Sequence, residues 1–539
     1  MLSGAEQKRM PKDPVWIKQS IYLERESELK RMRQRILSCG KYLVLVLSVI
    51  LMFFLSAVSL VSTAYFNKEN FGEESKIAEH VYYRTDSLAL NLLAVAFIVL
   101  ILYFINRKFG LEKIPTKVLA AAAVFYTILV SVLWMFAAST YPQADQENVS
   151  TAAYLMYTNN YLFLKPGGYL QMYPHQMGLA AVMEAVYCMA GGEYWKCFMF
   201  LNAISNGGIV FFLYRITDKL FHSKRVCNLV LLLSMGCVQL ILYTTFLYGI
   251  TLGLALSLAA FWMLLLYFEK DRLKFAFLAA VLTGAAILVK SNYSIFLIML
   301  VILLCYKGLE LKKIRPVLIA FILIVTSFFM KSALLSFYEF RSEMEISEGM
   351  PKSLWIAMGM QEGERAEGWY NGFNTLTFWD SGCDIPASDA IAKEAIHASL
   401  QKFRDNPGYA LQFYYKKIVS QWNEPTYECQ WVNRFHCGKF PVLVQSIYDG
   451  KLYTVLYEYM NVYQSLVYCM VLASLFFLRK TWKIEQLGFL IVVLGGFLFH
   501  ILWEAKSQYI YPYLIILFPY AAAGISGCIN MLDAALAGK

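Results

Sequence analysis

Apolar residues in this chain fall in long unbroken runs instead of alternating with polar ones. Twelve such runs lie at roughly 42–65, 88–106, 117–138, 196–216, 225–243, 248–267, 274–289, 292–306, 315–334, 454–478, 485–503 and 509–533. A helix needs about 18 or more apolar residues to cross the hydrocarbon core. Transmembrane barrels require alternation, which these runs lack. The pattern predicts an all-α polytopic membrane protein with about twelve transmembrane helices. Two of them, 274–289 and 292–306, are short and meet at a common turn. Some forty mostly polar residues, including Arg31-Met-Arg-Gln-Arg35, precede the first run, so no cleavable signal peptide is expected.

Composition agrees with the pattern. Of 539 residues, 58% are hydrophobic and 16% charged, with mean hydropathy +0.49. A soluble chain carries about a quarter charged residues. The net charge of +10 matters through its distribution. Residues 1–41 hold ten Lys/Arg against five acids. Every second connection is also basic: Arg107, Lys108, Lys113 and Lys117; Arg215, Lys219, Lys224 and Arg225; Lys270, Arg272 and Lys274; Lys307, Lys312, Lys313 and Arg315; Arg479, Lys480 and Lys483. Cytoplasmic loops retain the positive charge, which puts both termini in the cytoplasm. The two longest opposite connections lean acidic, with three bases and five acids in 66–87 and eleven bases and fifteen acids in 335–453. The basic charge orients the chain in its membrane, and no nucleic-acid partner is expected.

Orientation also decides an ambiguous segment. Residues 176–191 are apolar but short for a span, and counting them as one would invert every later loop. They are expected to form a helix along the outer membrane surface, as is 146–157. Residues 139–195 then make one outer loop containing the turn Lys165-Pro-Gly-Gly168 and the motif Tyr173-Pro-His-Gln176. Residues 335–453 form the one module of soluble size, of mixed structure. In it 388–403 has helical spacing with Ser388 as N-cap, and Asn406-Pro-Gly408 breaks it before 409–419 resumes. The eleven cysteines are scattered, many inside apolar runs, and none forms a metal-ligand spacing. Cys429 and Cys437 both lie in the outer segment and are a candidate disulfide.

On this topology, polar residues at membrane edges converge on the outer face. They are Asp145, Glu147, His175, Lys290, Asn292 and the run Trp503-Glu-Ala-Lys-Ser-Gln-Tyr509. Ionisable groups beside hydrocarbon are costly, so a set gathered on one face points to a charged pocket. A carboxylate there can serve as general base toward a hydroxyl. Cations can hold a phosphate and stabilise its charge as it departs. Transfer of a sugar from a lipid phosphate needs both functions at the level of the lipid headgroup. Trp369, Tyr370, Trp379, Trp422 and Trp431 are suited to stacking on sugars or to anchoring and packing near the headgroups.

Three patterns carry a resemblance. An apolar span runs into Ala144-Asp-Gln-Glu147 and an outer loop around Tyr173-Pro-His-Gln176. A span containing Gly and Ala ends in Leu288-Val-Lys-Ser-Asn292, and Trp503–Tyr509 leads into Pro512 and the last span. In that order they resemble the GT-C superfamily of polyprenyl-phosphate-sugar glycosyltransferases, most closely the bacterial protein mannosyltransferase-like branch (glycosyltransferase family 39-like). The resemblance covers about residues 115–533. It implies Asp145 as catalytic base with Glu147 as helper. It also implies a substrate site drawn from Tyr173, His175, Gln176, Lys290, Asn292, Glu504, Lys506 and Tyr509. Two positions depart from the family: Gln146 replaces the usual second acid, and Gln508 stands where an arginine is usual. The second departure leaves Lys506 as the substitute phosphate ligand.

The expected organisation is a basic cytoplasmic tail (1–41), an extra transmembrane hairpin (42–114) and a core (115–334) with the catalytic loop 139–195. The outer module (335–453) and C-terminal helices (454–539) follow. The expected activity is inverting transfer from a polyprenyl-phosphate-sugar to a wall polymer, glycolipid or protein outside the bacterial cytoplasmic membrane. No cofactor or metal is expected. A transporter or flippase of a lipid-linked saccharide is the competing reading. Such a protein places ionisable residues near mid-bilayer, where these runs carry almost no Asp or Glu.

Overall fold

The computed structural model describes residues 14–71, 73–431, 440–478 and 482–537. The chain is mostly helical. Among the described residues nine helices are long and apolar enough to cross a membrane, or up to eleven if each of two bent pairs is one span. The run at 274–289 forms Leu273–Val289, a shorter apolar helix. This is the make-up of a multi-pass membrane protein.

Both bent pairs have local causes. Tyr511–Ile516 meets Phe518–Ala537 at 50°. Pro519 has no amide hydrogen to offer the preceding turn. Lys224–Gly236 meets Val238–Thr245 at 55°, with Cys237 extended between them. Carbonyls freed near that break must find donors inside the bundle. Asn206 Nδ2 bonds Leu240 O at 2.8 Å and Thr244 Oγ1 at 3.0 Å, while Asn202 Nδ2 bonds Phe246 O at 3.0 Å. The chain after the break is thereby held in a fixed irregular path as far as Tyr248.

The N-terminal region differs from expectation. One helix runs without interruption from Pro14 to Val61, so the polar segment before 42 continues the first apolar run as helix. Beyond Val61 the chain turns into β1 (Ser62–Phe66), which pairs antiparallel with β2 (Val81–Thr85) in the register Ser62↔Thr85 to Phe66↔Val81. β-Branched and aromatic residues suit these strands. The expected first span, 42–65, thus ends four residues early. The hairpin packs on the later module: Ala64 N donates to Asn423 O at 3.0 Å, and Phe66 lies edge-on to Trp369 at 5.9 Å.

Within 335–453, helix Ile385–Asp405 is capped by Asp384, whose Oδ1 accepts from Ala387 N at 2.7 Å, and not by Ser388, which lies inside the helix. Asn406 then caps Pro407–Trp422. The following stretch, 423–431, is buried although its polarity reads as an exposed loop. It threads between the broken helix and Lys451–Phe477: Gln239 Nε2 donates to Pro425 O at 2.8 Å, and Gln464 Nε2 to Trp422 O at 2.7 Å. Cys429 is buried there, and its candidate partner Cys437 lies outside the described residues, as do Arg479 and Lys480.

Lys417 joins this module to the membrane helices. Its ammonium is buried and donates to Gly359 O, to Ile501 O at 2.9 Å and to Trp503 O at 2.8 Å, the latter two at the C-terminal end of Gly488–Leu502. Burial brings its pKa down to about 7, although Glu504 opposes the shift. Lys417→Met strands these carbonyls, and an unmet buried group costs about 1–3 kcal/mol. Thermal unfolding in detergent is expected to show a loss of roughly 3 kcal/mol for Lys417→Met. The exposed Lys393→Met serves as control and is expected to change nothing measurable.

Candidate active site

Asp145 is the first residue of helix Asp145–Tyr157. The preceding Ala144 has φ 53° and ψ −129°, a strained conformation for a residue with a Cβ. That turn sets the carboxylate at a helix N-terminus, where the positive end of the dipole favours negative charge. Asp145 Oδ2 accepts from Tyr248 Oη at 3.0 Å, and Tyr248 Oη accepts from Gln176 Nε2 at 2.8 Å. Burial, and then Asp145, push the Tyr248 hydroxyl well above its usual range, so it stays protonated and donates. Gln146 Oε1 accepts from Leu247 N at 2.8 Å. The Gln146 amide therefore ties the Tyr248 segment to the Asp145 helix.

Lys290 sits in extended backbone between Leu273–Val289 and the turn Ser291–Tyr293. Its ammonium lies 3.5 Å from the centre of the Tyr248 ring and 5.6 Å from that of Tyr509. Among the described residues no carboxylate reaches ion-pair distance of it. Burial pulls its pKa down to about 7, against the pull of Asp145 and Glu504. Close helix packing sets this position: a Cβ on Gly178 would stand 2.0 Å from Leu288 O. Only glycine lets the helix after His175 and Gln176 approach the Lys290 break so nearly.

These groups face one cavity of about 970 Å³, lined by Asp145, Tyr173, His175, Gln176, Lys290, Asn292, Glu504, Lys506 and Tyr509. Tyr173 Oη is 3.1 Å from Thr375 Oγ1, and its ring meets His175 and Trp355 edge-on, each at 6.0 Å. Glu504 is buried; burial raises its pKa to about 7, with Lys506 opposing and Asp145 adding to the rise.

Glu147 and Lys506 differ in their surroundings from the other expected residues. Glu147 is exposed and does not line the cavity. Residues two apart on a helix point about 200° apart, so neighbours in sequence are not neighbours in the site. Lys506 lines the cavity, but its ammonium donates to Glu79 Oε1 at 2.8 Å, and Arg365 holds the other oxygen of the same carboxylate. Burial alone would raise the pKa of Glu79, yet Lys506 and Arg365 hold it below its usual range. Among the described residues, Lys290 lines the cavity with no carboxylate at ion-pair distance.

Sequence reasoning missed Glu79, Tyr248, Trp355, Arg365 and Glu428, all of which line the cavity. Glu79 belongs to the extra N-terminal hairpin, where five acids in one connection gave no reason to single it out. Tyr248 opens an apolar run without a motif around it.

The cavity continues into hydrocarbon-like surroundings. Ile295, Ile298 and Ile302 on Ser294–Leu311 share one helical face. They face the same space as Val44 of the first helix and Ile491, Leu494 and Phe499 of Gly488–Leu502. Among the described residues no group of three His, Cys, Asp or Glu side chains is placed to hold a metal ion. Compared with protein-family models and with curated proteins, the chain matches none.

Proposed function

We propose that the protein is a GT-C-type glycosyltransferase with twelve spans. In this count the shorter helix and each bent pair are one span apiece. It moves a sugar from a polyprenyl-phosphate donor to a hydroxyl of a wall polymer, glycolipid or protein outside the bacterial cytoplasmic membrane. One observation carries the reading. A single cavity joins a carboxylate and an unpaired buried ammonium to an apolar cleft between membrane helices. A lipid phosphate has this shape and polarity: an apolar chain, an anion at its end and a sugar beyond.

Asp145 takes the proton of the acceptor hydroxyl, and the oxygen attacks the anomeric carbon of the donor. The bond from that carbon to the phosphate oxygen breaks, and the electron pair leaves with the phosphate. Lys290 stabilises the departing anion in a buried setting where charge interactions are strong. Direct displacement inverts the anomeric configuration. Tyr248 orients Asp145 through its hydroxyl and supports Lys290 through its ring, so one side chain sets both reacting groups.

Native mass spectrometry of protein released from membranes tests the donor class. A copurifying polyprenyl phosphate-hexose is expected, and exclusive retention of bulk phospholipid would count against it. The cleft makes a separate prediction. Ile298→Trp is expected to raise KM for a full-length polyprenyl donor about tenfold by blocking the chain, while kcat changes little. A donor with a short isoprenoid chain would be less affected, and equal effects on both donors would remove the cleft from the account.

A further inference from the structure

The cavity holds more polar groups than base catalysis and anion binding use. Glu428 and Gln508 line it, and both are buried. Glu428 Oε1 accepts from Ser507 Oγ and Gln508 N, each at 3.2 Å. Its backbone amide donates to Glu424 Oε2 at 2.9 Å, which fixes the loop that carries it. The remaining atoms, Glu428 Oε2 and Gln508 Oε1, are buried without a hydrogen-bond partner among the described residues. Buried polar atoms are almost always satisfied, so two such atoms on residues that line one cavity point to a ligand that supplies the partners.

Charge narrows the chemistry. The cations beside these atoms, Lys506 and Arg365, are bound to Glu79. Gln508 Oε1 only accepts, so its partner must bring a donor. A phosphate dianion offers none, and it would meet Glu79, Glu428 and Glu504 in the same space. A hydroxyl donates and accepts, and therefore suits Gln508 and Glu428 together. Trp355 and Trp503, stacked at 5.8 Å, line the same cavity and offer the apolar surface on which a sugar ring packs.

We infer that Glu428, Gln508 and the Glu79–Lys506–Arg365 cluster form a subsite for an uncharged, hydroxyl-rich ring, a pyranose of the donor or of the acceptor. The inference rests on the glycosyltransferase reading and deepens it. It excludes the anionic part of any substrate from this subsite. It also gives the N-terminal hairpin a part in substrate recognition, because Glu79 pairs with both cations that would otherwise draw an anion there.

The test uses full-length protein in nanodiscs, with undecaprenyl phosphate and its glucosyl, galactosyl and mannosyl forms as probes. Octyl glucoside is titrated separately into protein saturated with undecaprenyl phosphate. Gln508→Met removes one unmet acceptor and keeps the backbone amide that holds Glu428. Glu428→Gln keeps the shape and replaces one acceptor with a donor. If the ring is the donor's, both variants weaken a sugar-bearing lipid about tenfold and leave undecaprenyl phosphate unchanged. If it is the acceptor's, both weaken octyl glucoside to that extent and leave all the lipids unchanged. Equal weakening of undecaprenyl phosphate and its glycosyl forms would place the anion here and overturn the inference. No change with any sugar-bearing probe would assign the unmet atoms to fixed water and overturn it too. Failure of the wild-type protein to bind undecaprenyl phosphate in any form would instead overturn the glycosyltransferase reading itself.

Discussion

Asp145→Asn is expected to lower kcat for sugar transfer at least about a thousandfold, within the range that loss of a general base produces. The substitution keeps the shape and one carbonyl oxygen for Tyr248, which now bonds the carboxylate at 3.0 Å. Folding and donor affinity should therefore stay close to those of the parent. A matched substitution sharpens the result. Glu147→Gln lies two residues away on the same helix, outside the cavity, and is expected to retain activity within about twofold. Steady-state rates of both variants, with donor affinity measured separately, decide the matter. Near-normal turnover by Asp145→Asn would remove the base from the mechanism.

Lys290→Met is expected to cut kcat/KM about a hundredfold, since a charge-assisted hydrogen bond in a buried site contributes about 1.5–3 kcal/mol. The wild-type pH profile should report the same group. Burial depresses the pKa of Lys290 to about 7, with Asp145 and Glu504 raising it and Lys506 lowering it further. The ammonium is therefore present below about pH 7 and is lost as pH rises through that value. Free protein must hold the charge to attract the donor, so kcat/KM should fall above about pH 7. Bound phosphate restores the lysine's preference for its proton, so kcat should hold to higher pH. Lys290→Arg stays charged throughout and should move the alkaline fall upward. A profile identical in wild type and Lys290→Arg would assign the ionisation elsewhere.

The apolar pattern read well where hydrocarbon dictates structure. The runs at 88–106 and 117–138 became Leu88–Phe109 and Thr116–Ala138, because an unbroken apolar stretch in lipid has no alternative to helix. It read poorly where other forces decide. Residues 24–35 are rich in Glu and Arg, good helix formers that carry the first helix back to Pro14 without apolar periodicity. The polar stretch 423–431 is buried with one of its two carboxylates satisfied internally: Glu424 accepts from Thr426, Glu428 N and Ser507. No count of charges reveals that.

The site was legible in the same uneven way. Asp145, His175, Lys290, Asn292, Glu504 and Tyr509 are far apart in sequence, and their positions beside apolar runs marked them for one place. The pairing of Lys506 was not legible because its partner, Glu79, is 427 residues away in a segment with no pattern of its own. The placement of Glu147 outside the cavity was not legible because adjacency along a chain is not adjacency on a helix. Tyr248, which touches both the Asp145 carboxylate and the Lys290 ammonium, is an ordinary tyrosine until the fold brings Gln176 and Asp145 to its hydroxyl.

The central claim is covalent: a sugar leaves a lipid phosphate in this cavity. Purified protein reconstituted with radiolabelled undecaprenyl phosphate-hexose and a membrane extract as acceptor source should release undecaprenyl phosphate and label the extract in equal amounts. Asp145→Asn should do neither while still binding the lipid. Movement of intact labelled lipid between leaflets, with no undecaprenyl phosphate formed, would identify a transporter in place of a transferase.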